Sequence, residues 1–248
     1  MEVTRALTPE ELIEECESYI QNLHSFCVGS MRNREYSPIA KLPYKIMLVV
    51  NSMTWRVYET ASSALLLMKR DSIIPALCLV RACWEDMAAT FELASVIDQC
   101  CKSGNVGDKE DEILMRILFS NRFDNANPHV GEYTYEKFKD YKAKNIITLV
   151  QSVEKHYPAA KGIYETLCEF VHPNGDGVRG SYSKIDEESD ITTFGPLFSQ
   201  ESELFPAFVL SLSSTVSLYT EFVEQILCNI NPFARLCEIS LKRKSAKL

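Results

Sequence analysis

Apolar side chains recur along most of this chain at three- and four-residue intervals, the repeat that lays one greasy stripe along a helix. The first run opens at Thr8-Pro9-Glu10-Glu11, which sets an N-cap, a first-turn proline and a capping-box glutamate in order. It predicts a helix over 8–27 that turns Leu12, Ile13, Tyr19, Ile20 and Leu23 inward. Beyond Pro38 and Pro43, a longer periodic segment covers about 44–69. Arg70-Asp71-Ser72 reads as a tight polar turn with Ser72 as N-cap, and the next helix runs over about 73–101, so the pair predicts an antiparallel αα-hairpin. Shorter helices are expected over 108–121, 134–156 and from Pro158 to Val171, where Pro173-Asn174-Gly175 stops the last of them. A final long helix spans 202–228, and Pro232 separates it from a basic tail ending Lys242-Arg243-Lys244. The period also breaks over 102–107, over 125–131 and, at greatest length, over 173–200, rich in Gly, Ser and Asp. That stretch predicts either a long loop over the bundle or a small β-like pairing of 182–185 with 191–194.

The chain carries no internal repeat and no linker, so the simplest expectation is a single helical domain over 1–248. Its bundle core lies at about 44–228, flanked by the helix at 8–27 and the tail at 232–248. Only nine glycines in 248 residues argue against a turn-rich sandwich or barrel, and the fold class is all-α, an antiparallel bundle. A net charge of −8 would repel a polyanion, so contact with RNA needs a local basic patch. Lys137, Lys139, Lys142 and Lys144, interleaved with Phe138 and Tyr141, are a candidate, although an ordinary amphipathic face is the simpler reading. The nine cysteines are odd in number and sit in apolar runs, as Cys78 and Cys83 do; they read as reduced core residues. No zinc-ligand spacing occurs, and the Gly-containing stretches match neither a P-loop nor a dinucleotide fingerprint, so neither metal nor cofactor is expected. An acidic N-terminus and the lack of any long uncharged stretch predict a cytoplasmic chain without membrane contact.

Two segments carry candidate chemistry. On the second long helix Arg81, Glu85 and Glu92 share a stripe with Ile74, Leu77 and Ala88, and charges on so apolar a helix need partners. His172 ends a later helix, where an imidazole either caps terminal carbonyls or faces that stripe as an acid or base. In the second case Asn174 and Tyr182 would line the entrance. The rival reading makes Arg81, Glu85 and His172 an internal polar lock and gives the 173–200 segment a protein partner.

The combination of LVRACWEDMAATFEL on one helix and YETLCEFVHPNGDG ending a later one resembles a group of bacterial helical proteins related to the HEPN domains, over about 45–225. The resemblance implies an antiparallel bundle, homodimerisation, and kinship with metal-independent RNases, toxins and phage-defence effectors acting on RNA or nucleotides. On that analogy Arg81 holds phosphate, Glu85 accompanies it and His172 moves a proton. The family signature, an arginine four to six residues before a histidine near a helix end, is not met at His172, where Thr166 and Leu167 stand six and five residues before it. Arg122 and His129 have a loose form of that spacing, but Asn125, Asn127 and Pro128 interrupt any helix between them.

Overall fold

A computed structural model describes residues 7–107, 112, 114, 116, 117, 144–173 and 175–245. The helices are α1 (Pro9–His24), α2 (Leu42–Met68), α3 (Ile73–Ser103), α4 (Ile146–Glu154), α5 (Ala160–Val171) and α6 (Phe205–Ser245). Between α5 and α6 come a π-helical turn, Gly175–Arg179, a single helical turn, Gly180–Tyr182, and one hairpin of β1 (Ser183–Asp186) and β2 (Ile191–Phe194). Among the described residues the fold is therefore all-α apart from that hairpin. Among the described residues no helix is long and apolar enough to cross a membrane.

The chain divides into two compact units. The first comprises Met1–Cys27, Thr54–Met87 and Glu154–Thr220. Here α1 is held by the capping box that its first residues encode: Thr8 Oγ1 accepts from Glu11 N–H, and a Glu11 carboxylate oxygen accepts from Thr8 N–H at 2.8 Å. Its inner face is Leu12, Ile13, Cys16, Ile20 and Leu23, the spacing of one helical stripe; Tyr19 falls outside that stripe and is half-buried. Arg56 pairs with Asp86 at 3.2 Å, and Cys83 Sγ lies 4.0 Å from the Val57 carbonyl. Both couples are centred on the turn at Arg70-Asp71, as two antiparallel helices require. Asp71 takes φ +55°, the left-handed conformation an aspartate tolerates in a tight turn. Its carboxylate accepts from Gln200 N–H at 2.8 Å and ties down the chain that leads into α6. Deeper in, the hydroxyls of Thr54 and Tyr219 meet at 3.1 Å with neither residue exposed.

The second unit comprises Val28–Met53, Ala88–Val153 and Glu221–Leu248. Ile46, Val50, Leu93, Ile97, Val153, Ile226 and Phe233 fill its core, and the rings of Phe91 and Phe222 lie 5.0 Å apart. Ser37 donates to Glu238 at 2.6 Å, and Lys144 forms an ion pair with Glu92. Glu92 is thus occupied by a lysine rather than by the Arg81/Glu85 pair with which it shares a helix. Most of the expected helix at 108–121, the first ten residues of the one expected over 134–156, and Lys137, Phe138, Lys139, Tyr141 and Lys142 lie outside the described residues; the later part of the second is α4.

Two expectations about boundaries change. Of the two alternatives for 173–200 the structure shows the β-like pairing, its first strand shifted by one residue to Ser183–Asp186, in the register Ser183↔Phe194, Lys184↔Thr193, Ile185↔Thr192 and Asp186↔Ile191. Pro232 does not separate a tail, because α6 continues through it to Ser245. An internal proline removes one ladder bond and strains the turn before it, a cost of about 3 kcal/mol. Burial of Phe233, Ala234 and Cys237 immediately beyond offsets that cost, while Cys228, whose carbonyl loses its donor, is exposed to water.

Cys16, Cys83, Cys100 and Cys237 are buried and Cys78 and Cys228 exposed, all as free thiols. Burial pushes the Cys16 thiol up to about 11, so it stays protonated at neutral pH.

Candidate functional site

The polar cluster of the first unit is built by α3 and α5. Ala160, Tyr164 and Leu167 are the buried positions of α5, spaced to face one side, and the middle one carries a hydroxyl that needs a partner. On α3, Arg81, Trp84 and Glu85 stand three and four residues apart and therefore share a face. Tyr164 Oη donates to Glu85 Oε1 at 3.1 Å, and Arg81 Nε lies 3.4 Å from the same oxygen. The guanidinium carbon of Arg81 sits 5.6 Å from the Tyr164 ring centroid, within reach of a cation–π attraction. From the other side the Trp84 ring approaches at 5.8 Å. One carboxylate oxygen thus serves both a phenol and a guanidinium, and one phenol ring is clasped by a cation and an indole.

Burial, more than any charge nearby, pushes the Tyr164 phenol up to about 12. It remains a donor throughout the neutral range, which suits the bond to Glu85. The side chains of Arg81 and Glu85 are 21% and 33% exposed, so the pair is partly screened by water.

His172 stands elsewhere. It is the C-cap of α5, extended at φ −74° and ψ 144°, with its backbone N–H bonded to the Cys168 carbonyl. It lies two turns beyond Tyr164, about 12 Å along the axis, and its side chain is exposed. No hydrogen bond or ion pair among the described residues joins His172 to Arg81 or Glu85. Tyr182 lines a small cavity of about 110 Å³ with Ser72, Ile74, Pro75, Pro196 and Phe198 at the start of α3, well before Arg81. Asn174 lies outside the described residues. The structure therefore brings Arg81 and Glu85 together, adds Tyr164 and Trp84, and places His172 and Tyr182 apart from them.

Sequence reasoning passed over Tyr164. The available signal was a tyrosine at an inward position of an amphipathic helix, which must find a polar partner when buried. Asp86 was passed over too. It is 7% exposed and its carboxyl is held up at about 6, chiefly by burial, against the lowering pull of Arg56.

The arrangement separates structural from catalytic use by mutation. Tyr164→Phe removes a hydrogen bond to a carboxylate and should cost about 1–2 kcal/mol. Arg81→Met keeps an unbranched apolar stem of nearly the length of arginine's own and removes a partly exposed ion pair, for a change of about 1 kcal/mol or less in either direction. Urea denaturation of the two variants checks both values, and a larger loss from Arg81→Met than from Tyr164→Phe would reverse this ranking of the contacts.

Among the described residues no group of three or more His, Cys, Asp or Glu is placed to hold a metal ion. Comparison with known proteins returns no match, whether to a family model, a curated protein or a solved structure.

Proposed function

We propose that this chain is a non-catalytic protein-interaction module whose binding element is the segment 173–204. One observation carries the reading: every residue of β2 is exposed, and Phe194 at its end is 82% exposed. Val178, Tyr182, Ile185, Ile191, Leu197 and Leu204 of the same segment are exposed as well. Such a concentration of large apolar side chains in water is typical of a surface that meets another protein. A two-stranded hairpin is marginal by itself, and a partner laid on it would supply what its own two strands lack.

On this reading the polar cluster supports the binding element from below. Tyr164 and Glu85 pin α5 to α3, and Phe170, stacked edge-on against Phe198 and Phe208 at 5.5 and 5.3 Å, pins the end from which the hairpin departs. Arg81 and Glu85 are spent on packing contacts. The kinship with HEPN-related bundles stands beside this as a proposal about fold alone.

The test uses Phe194→Asp. An exposed side chain contributes little to stability, so the change in unfolding free energy should stay within about 0.5 kcal/mol. A photo-reactive crosslinker at Thr192 should capture a protein partner in cells, and Phe194→Asp should abolish that product. Equal capture by both chains would sink the module reading. RNA cleavage by the purified chain, lost in Arg81→Ala and His172→Ala but kept in Phe194→Asp, would replace it with a nuclease.

A further inference from the structure

β1 pairs with β2 alone among the described residues, so its other edge is open. Which groups that edge presents follows from the hairpin's own bonds. Gly195 N–H donates to the Tyr182 carbonyl at 2.9 Å, one step beyond the Ser183↔Phe194 pair. Bonded and non-bonded pairs alternate along an antiparallel ladder, so Lys184 and Asp186 direct their backbone groups at β2. Ser183 and Ile185 direct theirs outward.

An outward Ile185 flanked by Lys184 and Asp186 is self-complementary. Two copies of β1 laid antiparallel about a twofold axis through Ile185 exchange both Ile185 backbone bonds. In the same register each Lys184 stands opposite the other copy's Asp186, twice over. Shifting the axis by one residue sets Lys184 against Lys184 or Asp186 against Asp186, and directly opposed like charges are unfavourable. The charges therefore select one register out of three. They also agree with the wider field: the tip holds Glu187, Glu188 and Asp190, the base holds Arg179, and antiparallel pairing brings the tip of one hairpin toward the base of the other.

The side chains fit as well. Residues alternate between faces, so Ile185 lies on the same face as Phe194, its diagonal neighbour across the hairpin. Pairing of β1 strands would put both Ile185 side chains side by side with a Phe194 flanking each.

We propose that a second copy of this chain docks along the free edge of β1 and forms a four-stranded antiparallel sheet centred on Ile185. The proposal rests on the interaction-module reading and names its partner. It concerns the strand edge, so it makes no use of the helical faces.

Sedimentation velocity across a concentration series reaching roughly 1 mM tests it, because so small an interface is expected to be weak. The wild type should show a monomer–dimer equilibrium. Lys184→Asp sets Asp against Asp at both charge pairs, and Asp186→Lys sets Lys against Lys. Each should weaken self-association by about tenfold or more. Asp186 also accepts from Glu188 N–H and Ser189 Oγ in the turn, so its substitution disturbs the tip. Lys184→Asp leaves those bonds intact and excludes a folding explanation. Mixing the two variant chains restores both opposite-charge pairs, and a heterodimer about as tight as the wild-type dimer is the decisive result. A wild type that stays monomeric throughout overturns the proposal, as does a mixture that stays monomeric while the wild type dimerises. In either case a crosslinked partner other than this chain, still lost in Phe194→Asp, would leave the module reading standing.

Discussion

Trp84→Ala should lower the unfolding free energy of the first unit by about 3–5 kcal/mol, the usual cost of emptying a large aromatic site in a packed core. The indole is 2% exposed and stands against the Tyr164 ring, so its removal opens a cavity and also frees one side of the residue that holds Glu85. Against a typical margin of about 5–15 kcal/mol, that is about a fifth or more of the stability of an ordinary domain. Trp84→Phe fills most of the space and should cost clearly less. Circular dichroism in urea measures both. The chain has only two tryptophans, and Trp55 is 38% exposed, so the buried emission component should vanish with Trp84. A loss below about 1 kcal/mol for Trp84→Ala would mean that the site collapses around the void and that the aromatic packing described above is not rigid.

Asp86 should give the chain an inverted pH response. Its carboxyl is raised from the ordinary 3.8 to about 6, with burial the largest cause, Arg56 opposing and Glu85 adding to the rise. The folded chain therefore holds this proton at pH values where the unfolded chain has lost it. Stability from this group is full below about pH 4, falls as the pH rises toward 6, and is lost above that. The span of about two pH units corresponds to roughly 3 kcal/mol as an upper figure. Asp86→Asn removes the titration. Its melting temperature should match or fall slightly below the wild type at pH 4 and exceed it at pH 7.5, because Arg56 is 62% exposed and remains hydrated without its partner. Identical pH slopes for the two chains between 4 and 6 would show that Arg56 compensates the burial of Asp86 fully.

The helical architecture was legible because its signals are local. Thr8, Pro9 and Glu11 announce α1 before any tertiary contact is known, and the structure reproduces the capping box atom by atom. The turn at Arg70-Asp71-Ser72 is likewise a matter of a few polar residues between two apolar runs. Pro232 misled for the complementary reason: its penalty is local, and the burial of Phe233 and Cys237 that outweighs it is tertiary. The site shows the same divide. Arg81 and Glu85, four apart on one helix, could be paired from spacing alone. Tyr164, 79 residues from Glu85, could not, since nothing local says which inward tyrosine meets which carboxylate. His172 was drawn toward the pair by its chemistry, whereas helical rise puts it two turns past Tyr164.

The unequal placement of the thiols bears on any measurement of assembly. Cys78 and Cys228 meet solvent while Cys16, Cys83, Cys100 and Cys237 are sealed inside. In air the two outer sulfurs can bridge separate molecules, and such a covalent dimer would counterfeit one joined by strands. Reductant dissolves the counterfeit and leaves the other, which yields to a reversed charge at position 184 or 186.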